Sequence, residues 1–385
     1  MLRTARSHSR DPQVQLMIAD ELVVLKRRPA ALRRYAQVTS MASDAGTRAS
    51  ALLSGAHTRA NVASYDAALR ELKGAQKLAG EVHGRRARDN LLAWIMALQA
   101  RIYAVTDDED ASLRLYRQVA TLAGRTRNLD LRTTALLFGS DLLRSRGRYP
   151  QALGMLARVF EDNEMYGRPY TRVWGRFYRG ETLCAVGQVR DGLADLETCR
   201  ATARASANHQ GAAWASLALA SYHRSSDLDA AAADLDNCEA SIAAYGRGML
   251  LCDARLEWER AELARACGQI HEALQRIAIL RRRLSSPSFP ARLPYMTPHM
   301  LALEGEVARS QGDHKARALL TEARSLYAQG RWNHCAARID VSLWLMTNKP
   351  DPPSRLLQRC RKYRYAAEVE RLTNRKADFF PLHGL

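Results

Sequence analysis

The chain has 385 residues, of which 47% are hydrophobic and 25% charged, and its formal net charge is +18, from 58 Lys and Arg against 40 Asp and Glu. That apolar fraction can build a continuous core and excludes wholesale disorder, and the length suits two or three ordinary domains or one elongated array. Ala, Leu and Arg dominate while Gly, Pro and β-branched residues are sparse, which favours helix. Only seven of the basic residues are lysines. The charge points to an acidic partner, a nucleic acid or an acidic protein surface, or to a GC-rich genome that writes Arg for Lys. Because the arginines are scattered along the whole chain, the second reading is preferred, since a nucleic-acid footprint gathers on one face.

In chain order, residues 1–12 read as a flexible basic N-terminus. The following stretch DPQVQLMIADELVVL carries Asp11, Asp20 and Glu21, so it is no secretory apolar segment. No apolar run reaches membrane-spanning length, so a membrane is not expected as a partner. The seven cysteines (Cys184, Cys199, Cys238, Cys252, Cys267, Cys335 and Cys360) include no CxxC pair and mostly occupy apolar helical stripes. They read as reduced thiols of a cytoplasmic protein.

Amphipathic helices are predicted at 90–105, 130–146, 171–186, 208–224, 250–267 and 298–311, each followed by a turn and a second helix. The turns align: GRYPQALGML (147–156), GQVRDGLADL (187–196), GQIHEALQRI (268–277), with SDLDAAAADL (226–235) and GDHKARALL (312–320) as variants. Weaker copies surround Ser112, Ala68 and Ala31. The period is roughly 40 residues, the spacing of helical hairpins, so the chain is expected to be an all-α array of antiparallel helix pairs.

The sharpest copy is YRGETLCAVGQVRDGLADLETC (178–199). Gly180 and Gly192 occupy positions where two helices must approach closely, Gly187 is the turn, and Leu183, Leu196 and Cys199 supply buried stripes. Elsewhere the two small positions hold Ser140 and Ala152, Ala261 and Ala273, and Gly305 and Ala316. This pattern resembles the tetratricopeptide (TPR) repeat over about residues 15–348. It departs from the standard motif in its longer period, its Leu or Ala in place of aromatic marks, and its missing closing proline. Such longer repeats are similar to the sensor arrays of bacterial signal-transducing ATPase (STAND) and LuxR-like regulators and of peptide-sensing regulators. EARSLYAQGRWNHCAARI (322–339) resembles their closing repeat, although no segment is left over for the ATPase and DNA-binding domains those regulators carry. The resemblance implies a right-handed superhelical solenoid of about 7–8 helix pairs over residues 13–348.

Two breaks interrupt the pattern. SSPSFPARLPYMTP (285–298) holds four prolines and reads as a long loop between repeats. KPDPP ends the array, and residues 349–385 are expected to supply a capping helix, 355–372, with a loosely held tail. Leu356, Leu357, Cys360, Tyr363, Ala367 and Leu372 form its apolar stripe.

Catalytic signatures are missing from the sequence. There is no GxxxxGK[ST], GxGxxG or GxSxG, and His271-Glu272 lacks the second histidine of HExxH because Gln275 stands there. No catalytic residue, metal or cofactor is expected. One constellation does recur on the first helices, which line the concave groove in TPR arrays: Asp141/Arg144, Glu262/Arg265 and Glu306/Arg309, each an acid followed three places on by arginine. Glu181 stands at the equivalent place, with Cys184 where arginine would be. By spacing these are intrahelical ion pairs worth about 0.2–0.5 kcal/mol each, or a charged wall that grips a peptide. Trp174, Phe177, Trp214 and Trp258 lie on first helices too, as core or as anchors. The expected function is a non-catalytic protein- or peptide-binding scaffold or sensor in bacterial regulation or complex assembly. A basic nucleic-acid-binding array is the alternative.

Overall fold

At turns joining helices, an amide three residues past the helix end bonds back to a carbonyl five residues earlier, as in Gln188 N–H to Leu183 C=O at 2.9 Å and Gln269 N–H to Ala264 C=O at 2.8 Å. This closure needs one residue in the left-handed region. Gly187 supplies it at φ +89°, as do Gly147, Gly268 and Gly312, while Arg127 and Ala207 adopt it without being glycine. The next helix is then started by a side-chain cap in several repeats: Asp44 accepts from Thr47 N–H at 2.7 Å, Asn208 from Gly211 N–H at 2.9 Å and Asp227 from Ala230 N–H at 2.9 Å.

The computed structural model describes residues 11–362 apart from 26, 62–63, 107, 167–168, 247–248, 287–295, 331 and 348–350. Among them are eighteen α-helices and no strand. The chain is an all-α helical-repeat array in which consecutive helices pair as antiparallel hairpins. Packing divides it into two compact units, Met1–Gly139 and Ser140–Leu385.

The first unit contains α1 (Pro12–Val24), α2 (Arg28–Met41), α3 (Ala45–Ala60), α4 (Tyr65–Gly80), α5 (Arg85–Val105), α6 (Glu109–Arg125) and the start of α7 (Leu129–Ser145). The second holds the end of α7 and α8 (Tyr149–Tyr166), α9 (Pro169–Ala185), α10 (Val189–Ala205), α11 (His209–His223), α12 (Leu228–Tyr245), α13 (Leu250–Ala266), α14 (Ile270–Leu284), α15 (Met296–Ser310), α16 (Lys315–Gln329), α17 (Asn333–Leu345) and α18 (Ser354–Lys362). In the first unit α1 touches α3 and α3 touches α5; in the second α9, α11, α13 and α15 follow one another likewise. Even-numbered helices show no such succession among the described residues. The first helix of each hairpin therefore forms an inner wall and the second an outer one.

Close crossing explains the small residues. A Cβ on Gly180 would sit 2.9 Å from the Gly192 carbonyl oxygen, and one on Gly192 would sit 2.7 Å from that of Gly180. Gly305 meets Leu320 in the same way, at 2.8 Å. Ser140, Ala152, Ala261, Ala273 and Ala316 are fully buried at the corresponding positions. The cores follow as separate clusters along the array, such as Leu72 with Ile95 and Ile102 in the first unit and Trp258 with Ile277 and Leu303 in the second.

The segment expected as a proline-rich loop, 285–298, lies outside the described residues except at its two ends, as do residues 1–10 and 363–385. Within the expected capping helix 355–372, α18 buries Leu356 and Cys360. They pack with Val341 and Trp344 of α17 and with Tyr149 and Ala185 from α8 and α9. Arg146 also donates to the Gly330 carbonyl and stacks 5.3 Å from the Trp332 ring. The second unit thus sets its last helices against its first.

Candidate functional site

The ten residues expected to line a groove all fall on first helices of the second unit. Asp141 and Arg144 are on α7; Trp174, Phe177 and Glu181 on α9; Trp258, Glu262 and Arg265 on α13; Glu306 and Arg309 on α15. The three spaced pairs form, at 2.8 Å for Asp141–Arg144, 2.9 Å for Glu262–Arg265 and 2.9 Å for Glu306–Arg309. Glu181, which has Cys184 rather than an arginine three residues on, is met at 2.7 Å by Arg144 of the preceding first helix. That link joins one repeat to the next.

Their burial is deep. Glu262 and Glu306 are 0% exposed and Trp258 1%, and only Asp141 and Arg309 are partly open. Trp174 and Phe177 meet edge to face at 5.6 Å, and Phe177 lies 6.3 Å from Trp214. Burial works against the Arg144 charge, but the Glu181 and Asp141 carboxylates outweigh it and hold its pKa above the ordinary arginine value. Burial pushes the Glu181 carboxyl up, with Arg144 and Arg255 pulling the other way.

Sequence reading missed the centre of this wall. Glu259, 1% exposed, bonds Arg255 at 2.7 Å and also pairs with Arg224, the residue that caps the C-terminus of the preceding first helix, α11. The Arg255 guanidinium lies 4.4 Å from the Trp258 ring centroid, a cation–π contact. The signal was present in the i,i+4 spacing of Arg255 and Glu259, one turn ahead of Glu262. Buried charge on this scale is held by mutual pairing, since an unpaired buried ion costs several kcal/mol.

The first unit is built differently. Its first helices, with Tyr35 of α2 and Tyr116 of α6, line an open cavity of about 390 Å³. Leu53 of α3, Leu98 of α5 and Leu131, Ala135 and Phe138 of α7 give it an apolar floor. Trp94 of α5 borders it and remains 44% exposed. At the α1 end Tyr35 donates to the Asp20 carboxylate at 2.6 Å. Toward α5, Arg101 donates to Asn61 at 3.0 Å and stands 3.3 Å from His57 Nε2. Burial lowers the pKa of both His57 and Arg101, and for His57 the Arg101 charge adds to the effect. None of these lining residues was singled out from the sequence, because α1 and α3 carry only weak copies of the repeat.

No group of three or more His, Cys, Asp or Glu suited to a metal ion occurs among the described residues. No described helix is long and apolar enough to cross a membrane. Six of the seven cysteines are buried, and burial pushes the thiols of Cys184, Cys199, Cys238 and Cys335 up to about 12, where the nucleophilic thiolate is scarce.

Neither family models nor curated proteins match the chain. Solved structures do. A Rap protein, solved complexed with Competence and Sporulation Factor, aligns with a TM-score of 0.56 over 93% of this chain and 89% of its own, at 13% identity. The two share a helical-repeat fold. At that identity the likeness carries the fold alone, and it supports the array read from the turns and small residues.

Proposed function

We propose that the chain is a non-catalytic protein- or peptide-binding scaffold of bacterial regulation or complex assembly, acting in the cytoplasm through the inner face of its first helices. The observation that carries this reading is the open apolar cavity of the first unit, with Trp94 exposed at its border. Ligand sites combine such apolar concavity with a few placed polar groups, here Asp20, His57 and Arg101. The structural neighbour, held with its own factor on a similar fold, agrees with an array that presents a ligand-binding wall.

In the second unit the ten groove residues are assigned to the same function. Asp141 and Arg309, partly open, would meet the partner, and the eight buried members hold the wall that presents them. The test is affinity capture from the native cytoplasm, followed by titration of the identified protein or peptide against variants. Trp94→Ala is expected to weaken binding about 10-fold or more, as for an aromatic anchor, and Asp141→Lys to weaken it less. The outward-facing Leu274→Ala serves as the control. Equal affinity for all variants would overturn the assignment, and selective capture of nucleic acid would replace it with the nucleic-acid alternative.

A further inference from the structure

Arg101 differs from the other inner-wall arginines. Arg144, Arg265 and Arg309 each have an acid three residues earlier on the same helix, and all three pairs form. Three residues before Arg101 stands Leu98, part of the cavity floor. Among the described residues no carboxylate forms an ion pair with Arg101, whose hydrogen-bond partners are Asn61 and His57. Arg59, on neighbouring α3, takes the nearby acid Glu71 at 2.8 Å. The result is a half-buried guanidinium at one side of an apolar cavity, and its fork of donors suits a carboxylate held by two parallel bonds.

We infer that this cavity takes a short peptide with apolar C-terminal side chains and a free C-terminal carboxylate, which Arg101 anchors. The inference rests on the reading of the chain as a peptide-binding scaffold and names the ligand chemistry of that site. Three observations favour this occupant. The volume of about 390 Å³ lies in the range of ligand pockets and admits a few side chains, not a folded surface. The floor of Leu53, Leu98, Leu131, Ala135 and Phe138, with Trp94 beside it, matches apolar side chains. The charges are asymmetric: Asp20 at the α1 end disfavours a second carboxylate and offers an acceptor for backbone N–H groups, so the anionic end is directed to Arg101. Capture of a terminal carboxylate by fixed donors is an established mode of peptide recognition.

The experiment titrates the full chain with short synthetic peptides ending in Leu, Ile or Phe, each as the free acid and as the C-terminal amide. Decanoate serves as a carboxylate that is not a peptide. Calorimetry compares wild type, Arg101→Gln, Arg101→Lys and Trp94→Ala, with circular dichroism confirming that each variant keeps its helices. Free acids are expected to bind about 10- to 100-fold more tightly than the amides, the range of one charge-assisted hydrogen bond. Arg101→Gln is expected to abolish that preference, Arg101→Lys to keep part of it, and Trp94→Ala to weaken acid and amide alike.

Equal binding of acid and amide, or a preference that survives Arg101→Gln, overturns the carboxylate anchor and leaves the scaffold reading intact. Decanoate binding without any peptide binding overturns the occupant. Failure of every probe overturns the inference, while the scaffold reading still answers separately to the captured partner.

Discussion

Glu259 carries the heaviest load in the second unit, and replacing it with Gln is the most demanding test of how that wall is held. The carboxylate is fully buried and pairs with Arg224, whose side chain is 1% exposed, and with Arg255, at 7%. Gln keeps the volume but removes the charge, leaving two buried guanidinium groups with a neutral neighbour. Breaking a buried pair from one side costs about 3–5 kcal/mol. Against a total stability of about 5–15 kcal/mol, that is a large fraction of the folding margin. The assay is urea unfolding followed by circular dichroism, read as the shift in midpoint at constant slope. A double variant, Glu259→Gln with Arg255→Gln, should recover part of the loss, because one of the two buried cations that Glu259 balances is removed with it. A single-variant loss below about 1 kcal/mol, the scale of an exposed pair, would refute the argument that these charges are held by burial and mutual pairing.

Other outcomes follow from the same geometry. Gly192→Ala places a methyl 2.7 Å from the Gly180 carbonyl, so overpacking should exceed the helix-propensity gain and lower stability by about 1–2 kcal/mol, again read by urea midpoint. Titration with a thiol reagent should modify Cys267 quickly in the native chain and the six buried cysteines only on unfolding, which a mass spectrum of the labelled peptides checks. The pKa of His57 is lowered from 6.5 in the folded chain, so the unfolded chain binds that proton first. Stability linked to His57 is therefore complete above about 6.5 and declines as pH falls below it, and His57→Gln should flatten that part of the pH–stability curve.

The repeat was legible because packing writes itself into sequence at short range. Gly180, Gly192 and Gly187 declare two close crossings and a left-handed turn within a single hairpin, and the structure places them so. The acid–arginine pairs were equally readable, since three residues along a helix fix their proximity. What lay beyond reach was long-range. Arg144 reaches Glu181 from the preceding first helix, and Arg224 reaches Glu259 from the end of α11, contacts that depend on how neighbouring hairpins stack. The cavity of the first unit was missed for a related reason. Its walls come mainly from α1, α3, α5 and α7, with Tyr35 of α2 and Tyr116 of α6, residues that are adjacent only after stacking, and no motif distinguishes Arg101 until the acids near the other arginines are seen.

The central claim is that ligands meet the inner face of the first helices, and hydrogen–deuterium exchange of the full chain with its captured partner tests it most directly. Protection is predicted on α3, α5 and α7 around Leu53, Trp94, Arg101 and Phe138, with outer helix α4, which lines no part of the cavity, unchanged. Protection confined to α4, with the cavity-lining segments exchanging as in the free chain, would contradict the account.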